Sequence, residues 1–185
     1  MGVLRHPRRG RGPGAAHRGL LAALVAVLGL VSLTPHAAAE SIWRAEEWTD
    51  LEGHTWTAAE LEGQVVLLDF WATWCPPCLA ELPNLRKLHE QFGENGLEIV
   101  GVALDAIDMR DLRSFQLRHS MRWTQVHERS GTGSEIARRF GVEAVPVTVL
   151  VDRSGRVIAR NLHGEALAAV IATLLPDTAP SETGP

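Results

Sequence analysis

The sequence predicts an α/β fold: a three-layer sandwich with a central mixed sheet and an N-terminal β-hairpin. Three observations predict it. Gln64–Phe70 (QVVLLDF) and Leu97–Leu104 (LEIVGVAL) are continuous apolar runs of strand length, the pattern of strands buried on both faces. Stretches of helical spacing follow each run. A second hairpin and a helix then close the chain, and that alternation of strands and helices builds a layered sandwich.

Composition sets the limits. At 45% hydrophobic and 22% charged, the 185-residue chain has the balance of a globular protein, which excludes an acidic disordered tail, a collagen-like repeat and a multi-span membrane protein. Residues 1–39 hold Arg5, Arg8, Arg9, Arg11 and Arg18 and no acid. The remainder therefore carries 13 basic and 22 acidic side chains, a net of −9. So acidic a body offers nucleic acid no electrostatic footprint. Two cysteines are too few for a disulfide-stapled miniature scaffold.

The first 39 residues read as an address. A basic start, the apolar run Leu20–Leu33, the Pro35 break and Ala37–Ala39 are the parts of a secretory signal peptide cleaved after Ala39. The alternative is an uncleaved membrane anchor, for which the run is short of the about 20 apolar residues a span needs. Both place the body outside the cytoplasm, in the periplasm or another extracytoplasmic space, where disulfides persist. Residues 40–175 form one domain, and the unpatterned tail 176–185 is expected to be disordered.

Within the domain, Trp48–Thr57 reads as a hairpin turning at Glu52-Gly53, and Thr57–Glu60 has capping-box spacing for a one-turn helix. Pro77–Gln91 is the helix after the first buried strand, with a kink expected at Pro83. Asp108–Arg118 shows helical spacing through Met109, Leu112, Phe115 and Leu117, with Asp105, Asp108 and Asp111 as cap residues. Ser134–Phe140 is a short helix. Val147–Val151 and Arg156–Arg160 flank a turn at Asp152–Gly155, and Leu167–Leu175 is the closing helix.

The chemistry-bearing motif is Trp74-Cys75-Pro76-Pro77-Cys78, at the junction of the first buried strand and its helix. The helix N-terminus favours a thiolate at Cys75, and Cys78 lies one turn further in, within bonding reach. Such a pair exchanges between dithiol and disulfide with little backbone movement: the outer cysteine attacks a partner disulfide and the inner one resolves the mixed disulfide. An inert bridge is the competing reading, but closing so short a loop stabilises little. No second CxxC or paired histidines complete a zinc site. A copper(I) module using the two sulfurs and one histidine stays open as an alternative without disulfide turnover. A peroxidase of the peroxiredoxin type needs Pro-x-x-x-Thr-x-x-Cys; counting back from Cys75 gives Leu68 and Ala72, and from Cys78 gives Trp71 and Cys75.

WCPPC after DFWATW, with Glu81, Pro83 and the later Val145-Pro146, resembles the thioredoxin superfamily, and more narrowly the secreted TlpA/ResA-like thiol–disulfide oxidoreductases. The resemblance covers nearly all of Trp48–Leu175, through DLEGHTWTAAELEGQVVLLDFWATWC, WCPPCLAELPNL and GVEAVPVTVLVDRSGRVI. It implies a thioredoxin-like sandwich, Cys75 as nucleophile and Cys78 as resolving thiol. It also implies a cis bond at Pro146, leaving the Val145 backbone free to pair with an extended substrate strand; from residues alone, a trans proline at a strand edge fits equally. Trp74 and Pro76 join Val145 and Pro146 as substrate-contact candidates.

Asp69 stands where thioredoxins carry a buried acid, and Glu81 where ResA-like proteins carry a functional glutamate. A carboxyl desolvated near Cys78 has a raised pKa and serves as general base for the resolving step, from either residue. The bland reading of Glu81 is a first-turn acid on its own helix. The lysine that accompanies the buried acid in thioredoxins is missing, with Gly101 in its place. The resemblance implies protein dithiols and disulfides as partners, apocytochrome c among them, with an upstream membrane electron donor. It implies no cofactor. Pro76 and Pro77 have no N–H to stabilise a Cys75 thiolate, which places the pair in the reducing half of the range from about −270 to about −120 mV.

Overall fold

The computed structural model describes residues 2, 47–57 and 59–175. The expected signal peptide, residues 1–39, and the tail expected to be disordered, residues 176–185, lie outside the described residues, residue 2 apart. The described residues form seven strands: β1 (Glu47–Thr49), β2 (Thr55–Thr57), β3 (Val65–Trp71), β4 (Leu97–Ala103), β5 (Thr124–His127), β6 (Val147–Val151) and β7 (Val157–Arg160). The helices are α1 (Pro76–Phe92), α2 (Met109–Arg118), α3 (Glu135–Arg139) and α4 (Gly164–Leu174).

The central sheet has the order β5-β4-β3-β6-β7, with β3, β4 and β5 parallel and β6 and β7 antiparallel to their neighbours. It is the mixed sheet of a thioredoxin-like sandwich. Every residue of β3 is buried, and successive side chains face opposite layers. Leu67 and Trp71 pack with Leu82 and Leu85 of α1, Leu112 of α2, and Leu167 and Ile171 of α4. Leu68 and Phe70 pack on the other face with Ile136 of α3, with Phe140 at its C-cap and with Trp48 of β1. Cys78, Leu82, Leu85, Leu88 and Phe92 form the buried stripe of α1, and the helix continues through Pro83.

The N-terminal hairpin pairs β1 with β2 and turns through Gly53, whose φ of +90° suits a residue without a Cβ. The Asp50 carboxylate holds the turn, accepting from the N–H groups of Glu52 and His54 and from Trp56 Nε1. Thr57 and Glu60 make the reciprocal capping-box bonds. From there to Gln64 the backbone makes a run of i→i+3 turns and not the expected helix, so the box closes a turn here.

Three expectations need correction. Sequence periodicity misses β5, a four-residue edge strand of mixed polarity. On α2, only Leu112 of the four periodic residues is fully buried, whereas Met109 and Leu117 are exposed. The cap assignment also fails in part: Asp108 occupies the N-cap of α2 without a side-chain bond and pairs instead with Arg129 at 3.6 Å. Asp105 is no cap either; it is buried and serves the loop before α1.

Candidate active site

That loop, from Ala72 to Cys75, leads from the buried end of β3 into α1. Asp105, following β4, holds it: its Oδ2 accepts from Thr73 N at 2.8 Å and from Thr73 Oγ1 at 2.6 Å. Asp105→Ala leaves both donors without this acceptor, so the variant is expected to lose about 2–3 kcal/mol of stability, measured by chemical denaturation.

Cys75 is the N-cap of α1, in extended conformation, and its Sγ accepts from Cys78 N at 3.3 Å. Pro76 and Pro77 cannot donate, so a first-turn N–H reaches the sulfur only from Cys78. Cys75 and Cys78 are joined as a disulfide, with S–S 2.07 Å and Cα atoms 5.3 Å apart. The reading of Cys75 as the outer sulfur needs amendment in this oxidised form: Cys75 is 3% exposed and Cys78 4%. What distinguishes them is position along the helix, one at its cap and one inside its first turn. Trp74 is 67% exposed, and Pro76 is exposed beside it; Trp71 and Trp123 are core residues.

The Val145–Pro146 peptide is cis. Antiparallel register sets Val147 opposite Phe70, so the half-buried Val145 and Pro146 lie at the same end of the sheet as the loop into Cys75. Val145 packs against the layer that contains the two cysteines.

The two carboxylates are in different situations. Asp69 is 4% exposed, and burial, helped by the nearby Glu81 charge, pushes its carboxyl up to about 7. Glu81 is half-buried, and its Oε1 accepts from Asn84 Nδ2 at 2.7 Å and from Gly164 N at 2.8 Å. It thus complements the N-terminus of α4, not that of its own helix. Asp105 and Gln125 escape sequence reasoning because their partners, Thr73 and Trp71, are 32 and 54 residues away. Among the described residues, no group of three or more His, Cys, Asp or Glu is arranged to hold a metal, and no helix is long and apolar enough to cross a membrane.

A thioredoxin-type sandwich with a CxxC disulfide at the start of its first long helix defines the class of protein. Sequence comparison then places the chain: the AhpC/TSA family matches residues 39–160, and the chain belongs to that family. A thiol-disulfide oxidoreductase ResA of Bacillus thuringiensis subsp. konkukian is 32% identical over 117 residues, 63% of this chain and 65% of that protein. The chain thus spans just under two thirds of that relative's length. A ResA of Halalkalibacterium halodurans is 30% identical over 151 residues, covering 78% of this chain and 84% of its own. Among solved structures, a thiol-disulfide oxidoreductase from Bacteroides fragilis superposes with a TM-score of 0.65 at 26% identity, over 70% of this chain and 96% of the other.

Proposed function

We propose that this protein is an extracytoplasmic thiol–disulfide oxidoreductase that reduces protein disulfides. The observation that carries the reading is the Cys75–Cys78 disulfide at the N-terminus of α1, in the layer that also holds a carboxyl raised to about 7. In the dithiol form, the Cys75 thiolate attacks a substrate disulfide, a Cys75–substrate bond forms, and one substrate thiolate leaves. Cys78 then gives its proton to Asp69 and attacks Cys75 Sγ. The Cys75–Cys78 bond forms and the second substrate thiolate leaves, so two electrons pass to the substrate. A thiol donor restores the dithiol by the reverse exchange. Asp69 is the acceptor in this scheme because burial, and after it Glu81, raises its carboxyl to about 7, while the Glu81 carboxylate is held by Asn84 and by the N-terminus of α4.

Trp74, Pro76, Val145 and Pro146 are the surface for an extended substrate segment, with the Val145 backbone free to pair. The location rests on the apolar run Leu20–Leu33 and the small residues before Glu40. Within the class, the resemblance to secreted TlpA/ResA-like proteins extends the substrate to an apocytochrome c disulfide, with a membrane donor upstream.

Purified protein is expected to accelerate insulin reduction by dithiothreitol and, against a glutathione buffer, to show a potential in the reducing half of the interval from about −270 to about −120 mV. A disulfide that dithiothreitol leaves intact would refute the reading. Tight copper(I) binding without disulfide turnover would replace it with a metal-carrying role.

A further inference from the structure

The layer beneath α1 contains one polar row in an otherwise apolar surface. Strand register sets Thr148, Asp69, Gly101 and Gln125 side by side on β6, β3, β4 and β5, and opposed residues of paired strands point to the same face. Gly101 contributes no side chain, and the Gln125 carboxamide fills the gap. A Cβ built on Gly101 would lie 2.5 Å from both Nε2 and Oε1 of Gln125. The amide has therefore reached from β5 across β4, toward the strand that carries Asp69.

Its orientation is fixed, because Trp71 Nε1 donates to Gln125 Oε1 at 3.0 Å and leaves Nε2 as the outstanding donor. Gln125 is 0% exposed, and its Nε2 has no hydrogen-bond partner. Thr148 is committed elsewhere, donating to the Leu162 carbonyl at 2.7 Å. The Asp69 carboxyl, nearly as deeply buried, makes no hydrogen bond among the described residues. A buried donor left unpaired is rare in a folded protein, and this one stands in the same row as a carboxyl that no described residue bonds.

We propose that Gln125 is a positioning residue whose Nε2–H hydrogen-bonds the Asp69 carboxylate across one buried water, and so sets the pH at which Asp69 trades its proton with Cys78. The exchange with Cys78 rests on the function proposed above; the Gln125–Asp69 bond does not. A donor to the ionised form favours that form, so Gln125 opposes the effect of burial and of Glu81. The other groups facing Asp69 are few. Glu81 of α1 is the charged group acting on it, Gly101 and Thr148 are its neighbours across β4 and β6, and the two cysteines, Leu112, Leu167 and Ile171 belong to the apolar core of the same layer.

The test is a carboxyl ¹³C NMR titration of the oxidised full chain. Gln125→Met, of similar shape but without a donor, is expected to raise the Asp69 midpoint by about one pH unit, about tenfold in proton affinity. A folded Gln125→Met with an unmoved midpoint overturns the proposal. A second measurement needs no change at Gln125: in the unaltered protein, the Gln125 side-chain amide protons should titrate with the Asp69 midpoint, and that transition should vanish in Asp69→Asn. Amide protons indifferent to Asp69 also overturn it, whether or not the methionine variant folds. Neither measurement uses a substrate, so failure here is distinct from failure of disulfide turnover.

Discussion

Cys75→Ser is expected to reduce insulin-disulfide turnover to the uncatalysed background, while Cys78→Ser stops after one chemical step and accumulates a covalent adduct with the substrate. The asymmetry comes from place, not exposure, since both sulfurs are covered in the oxidised protein. At the helix cap, Cys75 meets the positive end of the macrodipole and one N–H donor, that of Cys78. Cys78 points into the core as the first of the buried stripe of α1. A hydroxyl at either position is no nucleophile at neutral pH. Folding should survive either change, because closing so short a loop is worth about 2 kcal/mol in the chain-entropy account. Intact-mass spectrometry under non-reducing conditions reads the adduct. If Cys75→Ser were the variant that trapped substrate, the two roles would have to be exchanged.

Local signals carry most of the architecture. β3 and β4 announce themselves as apolar runs, α1 by its stripe from Cys78 to Phe92, and the hairpins by Gly53 and by the turn Asp152–Gly155. The motif itself is contiguous, so the disulfide needs no long-range information. What escapes is long-range or of mixed polarity. β5 alternates Thr124, Gln125, Val126 and His127, and it counts as a strand only because β4 offers it an edge. Asp105 looks like a helix cap until the fold brings Thr73 to it, and Gln125 looks like an edge polar residue until Trp71 and Gly101 bury it. Glu81 has the spacing of a dipole-complementing acid, yet the helix it complements begins 83 residues away at Gly164. In α2, periodicity overstates burial, because Leu112 and the half-buried Phe115 seat the helix, while Met109 and Leu117 stay in solvent.

Asp69→Asn is expected to leave a pH-dependent mark on stability. The carboxyl titrates near 3.8 in an unfolded chain and near 7 in the folded one, because burial and then Glu81 disfavour its charge. Between those values the folded state binds more protons than the unfolded state. Unfolding free energy therefore falls as pH rises through that interval and levels off above it. The loss amounts to on the order of 4 kcal/mol at full ionisation. Asparagine cannot ionise, so the variant should keep a constant offset from the native protein below about pH 4 and gain on it steadily up to about pH 7. Asp152 acts in the other direction and in another window: although burial pushes it up, hydrogen bonds from Ser154 and Arg156 hold it near 2, so the stability it lends is lost only on acidification. It is common to both proteins and cancels in the difference. Denaturant titrations of the oxidised pair across pH 4 to 8 read that difference directly, and parallel curves would mean that Asp69 is ionised throughout, leaving Cys78 without its proton acceptor.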